Sequence, residues 1–389
     1  MTQSDISEIK SIAIPIQRTD DSYDISSIFS EICDASIIGL GEPSHGDKTS
    51  LHIKRAVIEA FAEQSSPLTI GWERGPGNVE QLSESITKHE PQPESGLKWL
   101  YPWVSTEALD LFRRIVLDET GQMGFFGVDM DGPAPHPQYE SLIAQGYPVQ
   151  DLLRELKKLN PADPDAQGLH HIQRICETLL QCNPDYQPPI ENLLHATSQW
   201  AQFRVLQTYS EGHSSANQVT TAHEFRDSCL CDNVLKLHRN TAQTTTIFSA
   251  HNGHISRKPT MAGGKIAERI GSSYLALGIA FGSGRFNAGT ANKDSFSPKL
   301  KLFESAQPPP GSLEERLSTV DMPCFAIDLR PLRGTSHVLS DECPMREVSL
   351  SGGLEQFSLT AVPSDYYDVL IWVDKLEPSS ILRTDGCFW

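Results

Sequence analysis

The chain has 389 residues, 38% of them hydrophobic and 21% charged, with 27 Gly and 26 Pro. At roughly 100–200 residues per domain it holds two or three packed units, and its composition excludes collagen-like, coiled-coil and wholly disordered chains. Lys and Arg number 32 against 50 Asp and Glu, a formal charge of −18 that repels phosphate backbones and anionic lipid, so neither nucleic acid nor a membrane surface is an expected partner. No apolar run approaches the roughly 20 residues of a bilayer span, and MTQSDISEIK lacks the basic and apolar regions of a signal peptide, so a cytoplasmic location is expected.

In chain order, four apolar runs end in polar, glycine-marked residues. Ala35–Leu40 leads into Gly41-Glu42-Pro43-Ser44-His45-Gly46 and a helical pattern from about Thr49 to Glu63. Pro67–Trp72 leads into Glu73-Arg74-Gly75-Pro76-Gly77 and an amphipathic stretch from Asn78 to Thr87; Gly124–Val128 ends in Asp129; Thr244–Ala250 ends in His251-Asn252-Gly253-His254. Alternating β and α segments predict an α/β fold with a mostly parallel sheet flanked by helices. From about 131 to 240 the pattern changes. After the Pro-rich Gly132–Pro137, apolar residues recur at helical spacing over Val149–Leu159, Gln167–Gln181, Ile190–Ser210 and Thr221–Arg239, which predicts an inserted helical subdomain. The α/β domain is thus expected in two parts, 1–130 and 241–389. The second part carries a strand at Tyr274–Ala280, a Gly-rich turn at Phe281–Arg285, a short helix at Ser312–Thr319 and strands at Cys324–Leu329 and Asp368–Val373, with a small C-terminal α+β portion.

In open α/β sheets, ligands sit beyond the carboxyl ends of the strands. Parallel strands would deliver Glu42, His45, Glu73, Asp129, His251 and His254 to one rim. Each alone reads as a loop or capping group, whereas a capping role needs no histidines, so the six together point to a catalytic site. Two glutamates and two or three histidines also suit zinc or manganese, and His251-Asn-Gly-His254 has ligand-like spacing; a metal-free site, in which the glutamates orient and charge an imidazole, is the expected one. No GxSxG elbow, P-loop or GxGxxG fingerprint occurs. The eight cysteines are scattered, and Cys229 and Cys231 point in different directions if helical.

Gly39-Leu-Gly-Glu-Pro-Ser-His-Gly46 with Glu73, Phe126–Met130, Arg226-Asp227 ahead of Asn233, Ala250–His254, Tyr274–Gly284 and Asp365–Asp374 together resemble the erythromycin esterase family, in order, over roughly Ile37 to Pro378. The resemblance implies a sheet domain with a helical insertion, and hydrolysis of a lactone or other ester by water activated on the first-block histidine. It places Glu42, His45, Glu73, His251 and His254 on the family's functional positions and its basic helix residue on Lys54, with Arg55 adjacent. Thr49 and Ser83 stand where the family often has an acid and an asparagine. Members often sit in biosynthetic pathways and have unknown substrates, so the resemblance implies an ester of a specialised metabolite or an antibiotic-resistance role.

His45 is the expected general base on water, with Glu42 and Glu73 orienting it and His251 or His254 stabilising the oxyanion. No cofactor is required by this scheme. Lys54, Arg55, Asp129, Arg285 and Trp200 are the expected substrate-binding residues for a small-molecule or peptide-like substrate, with Trp200 on an insertion placed to roof the cleft; the bland reading of Trp200 is core and of Arg285 a flexible turn. The same His/Glu set also suits a lyase, cyclase or acyl-transfer step, and a non-catalytic binding protein would be expected to lose His45 or a glutamate. The sequence leaves the oligomeric state open.

Overall fold

The computed structural model describes residues 2–19, 22–64, 67–88, 102–130, 136–159, 165–212, 216–241, 245–289, 300–348 and 356–382, apart from the side chains of 136, 137 and 208–221. The central sheet has nine strands: β1 (Ile14–Pro15), β2 (Ile37–Leu40), β3 (Leu68–Trp72), β4 (Met123–Gly127), β5 (Thr245–Ser249), β6 (Tyr274–Gly289), β7 (Leu300–Glu304), β8 (Cys324–Asp328) and β9 (Val369–Leu376). Their order is β1-β8-β9-β6-β2-β5-β3-β4, with β7 paired to the far end of β6. From β9 to β4 every neighbour is parallel, while β1 pairs antiparallel with β8, β8 with β9 and β7 with β6.

The inner parallel strands are covered on both faces, which is why they read as unbroken apolar runs. Residue alternation divides each between two cores. Ile38 and Leu40 of β2, Leu275, Leu277 and Ile279 of β6, and Val369 and Ile371 of β9 face one core; Ile37, Ala276 and Leu370 face the other. The first face is covered by α1 (Lys48–Glu63), α2 (Pro76–Thr87) and α3 (Thr106–Val116). Helix α1 starts on Asp47, whose carboxylate accepts from Ser50 N at 2.6 Å. Helix α3 is not among the elements expected from sequence, although Ser105 caps it and Leu109, Phe112 and Ile115 form a buried stripe.

Between β4 and β5 the described chain is helical: α4 (His136–Ala144), α5 (Gln150–Lys158), α6 (Ala166–Cys182), α7 (Pro188–Gly212) and α8 (Ala216–Asn240). Residues 131–135, which include most of the Pro-rich segment expected to joint the insertion, lie outside the described residues. Helices α4 to α7 enclose their own core around Tyr139, Leu152, Leu169, Ile172, Leu194 and Trp200. Helix α8 serves both units. Cys229 packs into the insertion core, whereas Leu230, Cys231, Val234 and Leu235 pack on the second face of the sheet beside α9 (Ala262–Ile270). The latter half of α8 is therefore a flank of the sheet and not part of a separable insertion. The two cysteines are free and on different faces of the helix.

One expected turn is not a turn. β6 continues through Phe281–Arg285 to Gly289, because Arg285 to Gly289 pair antiparallel with β7 and Lys375 and Leu376 of β9 extend the parallel ladder to Ser283 and Gly284. Among the described residues no helix is long and apolar enough to cross a membrane.

Candidate active site

The adjacent strands β2, β5, β3 and β4 end at one rim, and their following residues form two imidazole–carboxylate groups. In the first, His45 Nδ1 lies 2.5 Å from Glu42 Oε1, which also accepts from Trp103 Nε1 at 2.8 Å. Lys54 Nζ sits 2.7 Å from Glu42 Oε2, donates to Ser249 Oγ at 2.8 Å and lies 4.8 Å from the centre of the Trp72 ring. Glu42 and Lys54 are both fully buried. Burial alone would raise the Glu42 carboxyl, but the Lys54 cation and the His45 bond outweigh it and hold the group down at about 2. An anion fixed on Nδ1 orients the imidazole and leaves Nε2 as its outward nitrogen. That nitrogen has no hydrogen bond to any described residue, and the His45 side chain is 11% exposed beside the edge of Trp103.

The loop holding this pair is fixed by close backbone contact. A Cβ on Gly46 would fall 1.9 Å from Asn287 O, and one on Gly41 would fall 2.2 Å from Asn252 Oδ1. Asn252 ties three elements together: its N–H donates to Glu42 O at 2.9 Å, its Nδ2 to Ile279 O at 2.7 Å, and its Oδ1 accepts from Ile279 N at 3.2 Å.

The second group centres on Arg226 of α8. Its guanidinium contacts both carboxylate oxygens of Asp129, donates through Nη2 to Glu73 Oε1 at 2.9 Å, and places Nη1 3.0 Å from His254 Nε2. Glu73 Oε2 accepts from His251 N at 2.7 Å, and its Oε1 lies 3.3 Å from His254 Nε2. His254 Nδ1 lies 2.8 Å from Asp227 Oδ1, which also accepts from Ala262 N at 2.9 Å. Burial opposes charge on His254, but Asp227 and Glu73 prevail and raise it to about 10. Glu73 falls well below the usual carboxylate range, since the His254 charge and bond outweigh the cost of burial.

His251 sits between the groups, its ring 5.4 Å from that of His45. Burial, helped by the nearby His45, pushes it down to about 4. Its partners agree with a neutral ring: Gly253 N donates to Nδ1 at 3.3 Å, and Nε2 faces Pro43 O at 3.3 Å and donates to it. Among the described residues no three His, Cys, Asp or Glu side chains are placed to hold a metal ion together.

The sequence profile described as "Erythromycin esterase" matches residues 79–376. This chain belongs to the erythromycin esterase family. Solved structures agree in fold: a Bacillus cereus protein is 18% identical over 98% of this chain and 100% of its own, with a TM-score of 0.80. A succinoglycan biosynthesis protein is 18% identical over 98% of each chain with a TM-score of 0.75, and a mutant of the erythromycin esterase EreC in its open conformation is 14% identical over 93% of this chain and 96% of its own with a TM-score of 0.67. No curated protein sequence matches the chain significantly.

In this family member the five expected catalytic residues, Glu42, His45, Glu73, His251 and His254, meet at the rim together with Asp129. The expected substrate-binding residues lie otherwise. Lys54 and Asp129 are fully buried, with Lys54 paired to Glu42 and Asp129 to Arg226. Trp200 is 3% exposed and packs in the insertion core, the fate that its helical spacing alone suggests. Arg55 turns away to Glu59 at 3.0 Å, and Arg285 is an exposed strand residue opposite Glu304. Thr49 accepts from Glu377 N at 3.0 Å, and Ser83 donates to Val79 O at 2.8 Å within its own helix. Trp103 is unsignalled in the sequence because it lies in the connection before α3, outside any periodic segment. Arg226 and Asp227 were visible there only as part of the family pattern, although a charged pair on the apolar face that carries Ala222, Cys229 and Leu230 marks a buried ionic site.

Proposed function

We propose that the chain hydrolyses a carboxylic ester, a lactone or an open ester of a specialised metabolite, with His45 as the general base. The observation that carries this is the His45 ring itself, held through Nδ1 by a buried carboxylate while Nε2 meets no described residue. In that tautomer Nε2 accepts a proton from water as the oxygen attacks the acyl carbon. Lys54 and Trp103 act one step behind by keeping Glu42 anionic and fixed.

Of the two histidines considered for the oxyanion, His254 is the better suited. It is cationic at neutral pH and 16% exposed, next to the 21% exposed Arg226, whereas His251 is neutral and committed to Pro43. One such donor is worth about 3–4 kcal/mol in well-studied hydrolases. The scheme needs no metal, since Glu42, Glu73 and Asp227 already serve imidazole or guanidinium partners.

The test is turnover of a panel of lactones and esters in ¹⁸O-labelled water by the purified chain, before and after exhaustive chelation. One labelled oxygen in the product carboxylate, with rate unchanged by the chelator, is expected. Consumption of the ester without label would assign the site to acyl transfer, cyclisation or elimination, and a stoichiometric metal whose removal silences the enzyme would replace the metal-free scheme.

A further inference from the structure

Nε2 of His254 faces two groups of opposite demand. Glu73 Oε1, at 3.3 Å, can only accept and so bonds a protonated Nε2. Arg226 Nη1, at 3.0 Å, can only donate and so bonds an unprotonated one. Nδ1 is unaffected by the choice, because Asp227 accepts its proton in both states. A histidine normally loses a partner when it changes protonation, and a buried group left unpaired is destabilising. Here each state of the ring has a partner within reach, without movement of any backbone.

We propose that Arg226 is a positioning residue that lets His254 serve as the proton donor of the site, by supplying the hydrogen bond that Nε2 needs once its proton has left. This rests on the hydrolase reading for its reaction and deepens it by assigning the second proton transfer. Water gives one proton to His45 Nε2 as its oxygen bonds the acyl carbon. The acyl–alkoxide C–O bond then breaks with its electron pair on the alkoxide, which takes the proton of His254 Nε2. The cycle closes when His45 releases its proton to solvent and His254 takes one up.

The groups facing His254 explain why it waits in the acid form. Asp227 and Arg226 come from α8, together with His223, Glu73 from the β3 loop, and His251 from its own turn, with Asp129 behind Arg226. The acids Asp227 and Glu73 favour the cation and Arg226 opposes it. Because α8 also flanks the insertion core, the proton donor is set by a helix that belongs to both units.

The test uses the full chain and needs no substrate: side-chain ¹⁵N NMR of histidine, with His254 assigned through His254→Gln, across a pH titration. In the wild type the neutral ring should carry its proton on Nδ1. In Arg226→Gln the proton affinity of His254 should rise at least tenfold, and Arg226→Lys should fall between the two. A neutral ring protonated on Nε2, or an affinity unchanged or lower in Arg226→Gln, would overturn the proposal. Should Arg226→Gln fail to fold, Asp227→Asn provides the same reading, with lower affinity and the proton still on Nδ1 expected. For activity, an alkyl ester and a p-nitrophenyl ester of one acid are compared, because a nitrophenolate leaves without a proton. Arg226→Gln should lower kcat at least tenfold more on the alkyl ester, and equal losses would count against the role. A wild type that cleaves neither ester would defeat the hydrolase reading alone, while the NMR titration still decides how Arg226 and His254 are arranged.

Discussion

His45 and His254 are built from the same parts, an imidazole whose Nδ1 leans on a buried carboxylate, yet they differ in what the other nitrogen meets. Nε2 of His45 meets no described residue, while Nε2 of His254 lies within reach of both Glu73 and Arg226. The carboxylates differ too: Glu42 answers to a lysine, an indole and the histidine, whereas Asp227 answers to the histidine and one backbone N–H. On the proposed roles, partner count separates a base that is open to water from an acid held in reserve, and residue type alone does not.

The largest effect should follow from removing the open nitrogen. His45→Gln should lower turnover by about 10³–10⁴-fold, the upper part of the range for a general base, with an unchanged circular dichroism melt. His254→Asn should cost less, about 10²–10³-fold, the loss of one oxyanion donor. Equal losses at both positions, accompanied by a bound metal in the purified chain, would merge the two groups into one metal site.

Next in size is the difference between the carboxylates. Glu42→Gln strands the Lys54 ammonium, which is completely buried, and should cost about 3–5 kcal/mol in urea unfolding; Asp227→Asn should cost about 1–3 kcal/mol. Replacing both members, Glu42→Gln with Lys54→Met, should recover part of the loss. The pH dependence has a definite sign. Glu42 is held at about 2 in the fold against an ordinary 4.5, so its contribution is complete above pH 4.5 and is lost as the pH falls toward 2. The wild type should accordingly lose its advantage over Glu42→Gln across that interval.

The rim was legible in the sequence because four strands each end in glycine-marked polar residues, and parallel order does the rest. Burial of the charges was less so. Lys54 lies on the stripe Leu51, Lys54, Ile58 and Phe61, and a lysine at that spacing signals a buried cation with a partner and not a substrate contact. Trp200 follows the same logic, since the buried Leu193, Ala196 and Thr197 lie seven, four and three residues before it. What no local pattern carries is the meeting of Trp103 with Glu42, or of Arg226 with Asp129 across 97 residues of chain.

A smaller effect is expected beside the first pair. Burial raises Asp47 to about 7, although it accepts from Ser50 N and caps α1. An acid raised in the fold above its ordinary 3.8 is stabilising to the protonated folded state, so its contribution declines as pH rises from about 4 to about 7 and stays low above. Asp47→Asn keeps the cap and removes the charge. It should match the wild type near pH 4 and exceed it at pH 8, the gain developing as the pH rises toward 7, measured by denaturant unfolding at the two pH values. A deficit at pH 8 would show that the carboxylate is charged and satisfied in the fold.

The smallest effect is expected where cations stand outside both groups. Arg55 is 43% exposed and paired with Glu59, one turn along α1, and Arg285 is exposed on β6 beyond the rim. Exposed pairs of this kind are worth about 0–1 kcal/mol, because solvent screens the attraction and holding two long side chains costs entropy. Arg55→Ala and Arg285→Ala should therefore leave both stability and kcat/KM nearly unchanged. Arg285 is the sharper control of the two. β6 runs on to Gly289 beyond its last pairing with β2 at Leu277, and Arg285 is exposed on that extension. A tenfold rise in KM for Arg285→Ala with kcat unchanged would reveal a substrate long enough to reach it, and would move the boundary of the cleft from the two histidine groups to the far end of β6.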